Sequence, residues 1–143
     1  MGLQVELLPA HGFTVIIVIA SVFLTVWAGV CVGGARKKFE VKYPTMYADK
    51  SDPNADAFNC YQRAHQNIME NYPQFLALFA VASVHRPIIA AIAGALRLMG
   101  FVSYALGYQT GDPQKRLRGA FGYIGLLTLL GLSIELAVRL FIS

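Results

Sequence analysis

Cysteine is nearly missing from this chain of 143 residues. Cys31 and Cys60 are the only two, they form no CxxC, and neither groups with His11, His65 or His85 in a ligand-like spacing. A disulfide framework and a zinc site are therefore not expected, and no metal is assigned. Charge is scarce as well: 14% of residues are charged against 56% hydrophobic. That balance excludes an ordinary water-soluble domain. Acids are scarcer than bases, with 8 Asp and Glu against 12 Lys and Arg. The basic residues flank apolar runs, so the excess reads as membrane topology and not as nucleic-acid binding. No basic stretch precedes the first apolar run, so a cleaved signal peptide is not expected and that segment is read as retained. Internal repeats and low-complexity segments are absent too.

What the chain does have is apolar length. Residues 13–32 carry no charge, and at about 1.5 Å per residue they suffice to cross a hydrocarbon layer of about 30 Å. The run Pro73 to Val84 is too short alone, so its helix must start near Ala57 and take a polar stretch with it. Pro87 suits a first helical turn and opens a third segment. "TGDPQKRLRG" reads as a turn, and a fourth segment follows. The expected fold class is an all-α integral membrane protein, a four-transmembrane-helix bundle in one domain over residues 1–143. Its helices are placed near 11–35, 57–84, 87–110 and 117–142. Arg36, Lys37, Lys38, Lys42 and Lys50 then share one side with Lys115, Arg116 and Arg118, which the positive-inside rule makes cytosolic. Both termini fall on the other side.

The second segment raises a sharper question. Arg63, Asn67, Glu70 and Gln74 recur at helical spacing and line one face. Counted from His85, Glu70 lies roughly 22 Å up and Arg63 roughly 33 Å up, while Tyr104 and Tyr108 lie roughly 25 and 32 Å above Pro87. The polar faces share a depth. They outline either a solvated helix start with an aromatic belt or a site for a small, multiply charged ligand, with Arg for carboxylates and Glu for an ammonium. Arg116, between Lys115 and Arg118, reads from sequence alone as an anchor of the positive side. Gly94, Gly100, Gly107, Gly119, Gly122, Gly125 and Gly131 are expected to permit close helix packing. Arg97, placed mid-membrane, needs a partner, and depth alone nominates Glu135.

The stretch "FNCYQRAHQNIMENYP" resembles the second-helix motif of the membrane-associated proteins in eicosanoid and glutathione metabolism, the MAPEG superfamily. Its flanks, "ARKKFEVKYPTMY" and "YALGYQTGDPQKRLRG", are similar to those of the family's microsomal glutathione transferases. The resemblance runs from Gly12 into the fourth segment. It implies a homotrimer in the endoplasmic reticulum membrane, with glutathione as co-substrate at each subunit interface near the cytosol. A lipophilic electrophile or lipid hydroperoxide would arrive from the membrane lipids. The resemblance assigns glutathione binding to Arg63, His65, Asn67, Glu70, Tyr104 and Tyr108 of one subunit and to Arg36 of its neighbour. It makes Arg116 the catalytic arginine that stabilises the thiolate, with Lys115 the competing choice because the "GDP" turn carries an inserted residue. The implied activity is glutathione transfer or peroxide reduction, with leukotriene C4 synthesis within range. The rival reading is a non-catalytic lipid-binding scaffold resembling five-lipoxygenase-activating protein.

Overall fold

A computed structural model describes residues 4–143, and among them the chain forms four long α-helices, one short 3-10 helix and no strand. The helices are α1 (His11–Phe39), α2 (Ala55–Ser83), α3 (Pro87–Tyr108) and α4 (Gly122–Ile142). The 3-10 helix spans Pro113–Gly119. Three of the long helices, α1, α3 and α4, have the length and apolar composition to cross a membrane. Their outward faces carry exposed Phe13, Ile16, Phe23, Ile92, Ile124 and Leu127, side chains that water would not leave uncovered. The polar first half of α2 keeps it out of that group, although 29 residues reach about 43 Å.

α2 and α3 form the centre, each packed against both α1 and α4. The inward positions of α2, Ala64, Ile68, Phe75, Phe79 and Ala82, recur at helical spacing and meet Ala90, Ala93, Phe101 and Ala105 of α3. The Phe75 ring stands between Phe79 at 5.5 Å and Phe101 at 6.5 Å.

α3 and α4 approach backbone to backbone. A Cβ on Gly100 would stand 2.5 Å from the Gly122 Cα, and one on Gly125 would stand 2.9 Å from the Arg97 nitrogen. Only glycine permits that approach. Gly131 is different: nothing in the chain lies within 4 Å of a Cβ added there, so the close packing expected of it does not occur within one chain.

The connections sort into two ends. At one, Tyr47 from the α1–α2 loop lies beside Tyr108, Gly111 and Pro113. At the other, His11 lies beside His85, Arg86, Pro87 and Arg139. Asn59 pins the α1–α2 loop to α2, accepting from the Ala48 N–H at 2.8 Å and donating to its carbonyl at 3.1 Å. After α3 the chain turns at Gly111 (φ +85°), and the Asp112 carboxylate accepts from the Gln114 N–H at 3.0 Å. The resulting 3-10 helix packs onto the last turns of α3, where a Cβ on Gly107 would collide with the Lys115 carbonyl. The fourth helix therefore begins at Gly122, later than the expected 117, because residues 113–119 are held in a tighter coil.

Candidate functional site

A cavity of about 230 Å³ opens where α2, α3, the 3-10 helix and α4 meet. α2 contributes Asn67, α3 contributes Arg97, Phe101 and Tyr104, the 3-10 helix contributes Arg116, and α4 contributes Tyr123. Two guanidinium groups line it and no carboxylate does, so it selects for negative charge. Arg116 is set by its turn: its Nη1 donates to the Pro113 carbonyl at 2.8 Å. Lys115 does not line this cavity and lies 3.9 Å from the Asp112 Oδ2.

Arg63 and Glu70 pair directly on the outer face of α2, Nη1 to Oε1 at 3.4 Å, with both side chains nearly half exposed. Arg63 also borders a second cavity of about 400 Å³, together with Tyr47, Asn59, Cys60 and Tyr108. The rings of Tyr104 and Tyr108 touch edge-on at 5.5 Å and link the two spaces. Asn67 accepts a hydrogen bond from the Asn71 amide at 3.3 Å. Of the eight residues that the resemblance assigns to the site, six thus fall into one neighbourhood and two are exceptions, while Gln74, the last of the α2 stripe, borders neither cavity.

His65 is the first exception. It projects from another side of α2 and lies near Gly29 of α1, where a Cβ would stand 3.7 Å from its Nε2. It lines neither of these cavities. Arg36 is the second. It ends α1, donates to the Thr45 carbonyl at 2.7 Å and stacks over the Tyr43 ring at 4.2 Å. It forms no hydrogen bond or ion pair with Arg63, Asn67 or Glu70 within the chain.

The expected Arg97–Glu135 contact does not form. Glu135 accepts from Arg86 at 2.6 Å, lies 2.8 Å from Arg139 and stands 3.3 Å from the His85 Nε2. The Glu135 carboxylate raises the Arg86 guanidinium above its already high ordinary value, by hydrogen bond and charge. The reason for the failed pairing is register. Gly125 meets the backbone of Arg97, which leaves Glu135 a further ten residues, or roughly 15 Å, along α4. Arg97 instead faces the cavity, its guanidinium carbon 4.3 Å from the Phe101 ring centre and 4.6 Å from that of Tyr123. Sequence reasoning marked Arg97 as a charge in an apolar helix but gave it no place in the site. Tyr123 carried no signal at all.

A protein-family model described as the MAPEG family matches residues 14–138.

Proposed function

Because the chain belongs to the MAPEG family and is an integral membrane protein, we propose that it is a membrane glutathione transferase or glutathione-dependent peroxidase. It resembles the family's microsomal glutathione transferases. The family also includes non-catalytic members, so the activity is argued from the site. The observation that carries it is the convergence of Asn67, Tyr104 and Arg116, from three separate elements, on one basic cavity beside the Arg63–Glu70 pair.

Glutathione has two carboxylates, one ammonium and one thiol, and this chain's residues match those groups. Arg63 and Glu70 are already charge-balanced, so a zwitterion can replace their exposed contact with a carboxylate for the arginine and an ammonium for the glutamate. Asn67 and the two phenols supply neutral hydrogen-bonding groups. Arg116 is the thiolate partner: a fixed guanidinium in a partly water-excluded cavity favours RS⁻ over RSH. The thiolate then attacks an electrophilic carbon of a lipophilic molecule reached from the bilayer, forming C–S as the ring opens or the leaving group departs. In the peroxidase reaction it attacks the distal oxygen of a lipid hydroperoxide, breaking O–O to release the lipid alcohol after protonation and a sulfenic acid, which a second glutathione converts to the disulfide and water.

In this reading α2 also crosses the membrane, completing a four-span bundle. The basic end faces the cytosol of the endoplasmic reticulum membrane. Arg36, engaged with its own loop, serves the glutathione pocket of a neighbouring subunit in a homotrimer.

The test is glutathione binding by the detergent-purified protein, followed by turnover with a panel of lipophilic electrophiles and hydroperoxides. Glutathione-dependent conjugation or peroxide reduction is the expected result. Binding of lipid with no thiol chemistry across the panel would replace this reading with the scaffold one.

A further inference from the structure

Arg97 is 3% exposed and lies ten residues into α3, roughly 15 Å from Pro87, within an apolar helix. Its Nε is buried without a hydrogen-bond partner, and no carboxylate among the described residues lies within ion-pair distance of it. The compensation it has comes from the ring faces of Phe101 and Tyr123 and from the Tyr123 hydroxyl, a neutral partner. Glu135, the only acid on α4, is committed to Arg86 and Arg139 at the far end. Arginine does not give up its proton inside a protein. The Nε is sealed within the protein, so it is the cavity-facing side of the guanidinium that is left for an acceptor from outside the chain.

The surroundings say what kind. The cavity that Arg97 lines is basic, and its rim is greasy: Leu117 is 63% exposed and Tyr123 is 54% exposed, and both border the cavity. Beyond them the outer face of α4 continues with exposed Ile124 and Leu127. A ligand placed there puts an anionic group on the guanidinium and runs an apolar tail over α4. We propose that Arg97 reads the acidic head of the lipophilic substrate, taking the carboxylate of a fatty-acid-type molecule that enters from the bilayer. The proposal rests on the functional reading above only in calling that molecule a substrate; the binding itself requires no thiol chemistry. Glutathione, whose thiol the reading above sets beside Arg116 in this same cavity, has no tail for the rim and has Arg63 and Arg36 for its carboxylates, which leaves Arg97 to the second ligand.

The experiment uses the intact protein in mild detergent, without glutathione. It compares the fluorescence titration of cis-parinaric acid, a polyene fatty acid, with that of its methyl ester. The protein is expected to favour the acid by about tenfold or more, the scale of one charge-assisted pair. Arg97→Gln is expected to bring acid and ester within about twofold of each other, while Arg97→Lys keeps part of the difference. Equal binding of acid and ester by the unaltered protein overturns the proposal, and that arm needs no variant to fold. An undiminished preference in a folded Arg97→Gln overturns it too. So does one-for-one displacement of the acid by glutathione together with a loss of glutathione affinity in Arg97→Gln, which would make this part of the glutathione site. Absence of turnover with intact acid selectivity would instead count against the enzyme reading and leave this site standing.

Discussion

Arg116 and Lys115 are neighbours in sequence that point to different places. Arg116 borders the cavity and Lys115 leans toward Asp112. Arg116→Ala is expected to lower kcat by about tenfold for each 1.4 kcal/mol of thiolate and transition-state stabilisation lost. The ultraviolet absorbance of bound thiolate should fall with it, while glutathione affinity should stay close to normal, as the proposed binding roles of Arg36, Arg63 and Glu70 require. Lys115→Ala should do little, and the opposite pattern would place the inserted residue of the turn elsewhere. A second expectation concerns the charges that do not meet. Arg97→Gln and Glu135→Gln should be additive in thermal unfolding, whereas Arg86→Gln and Glu135→Gln should be coupled, since only the second pair is in contact. Linear reasoning reached the need for an Arg97 partner because a charge in an apolar helix is conspicuous. It failed to name the partner because counting residues from each helix end assumes a register that the α3–α4 glycines actually set.

At the scale of elements, those glycines make a sharp comparison. Gly122→Ala forces a methyl group against the Gly100 Cα at 2.9 Å and is expected to cost about 1–3 kcal/mol, read as a lower unfolding midpoint in detergent. Gly131→Ala, with open space around it within the chain, should be neutral or up to about 1 kcal/mol stabilising through helix propensity. Equal effects would mean that α3 and α4 do not meet along this line. The long helices were readable because uninterrupted apolar length, Pro87 and the "TGDP" turn are local signals. The 3-10 helix was not, because its conformation is imposed by the backbone of Lys115 seated against Gly107, a tertiary contact with no local signature. The polar stripe of α2 was legible as a stripe, yet its division between the Asn67 cavity and the Arg63 cavity depends on where the Tyr104 and Tyr108 rings fall.

For the whole molecule, the position of Arg36 defines the test of assembly. Within one chain it is bound to the Thr45 carbonyl and forms no hydrogen bond or ion pair with Glu70. In a trimer sharing its pockets, mixing Arg36→Ala subunits with Glu70→Ala subunits should restore part of the glutathione binding that either variant lacks alone, because some interfaces regain two intact contributors. No recovery in demonstrably mixed trimers would confine the site to a single chain. The seam of Gly100, Gly122 and Gly125 has a consequence in time as well as in space. A contact made of bare backbone has no rotamers to exchange, so this wall of the cavity yields only when whole helices slide, on microseconds to milliseconds. The rim formed by the exposed Leu117 and Tyr123 side chains can rearrange in picoseconds to nanoseconds. A ligand approaching from the side would therefore meet a fast door in front of a slow wall, and its residence time would be set by how long Arg97 holds it.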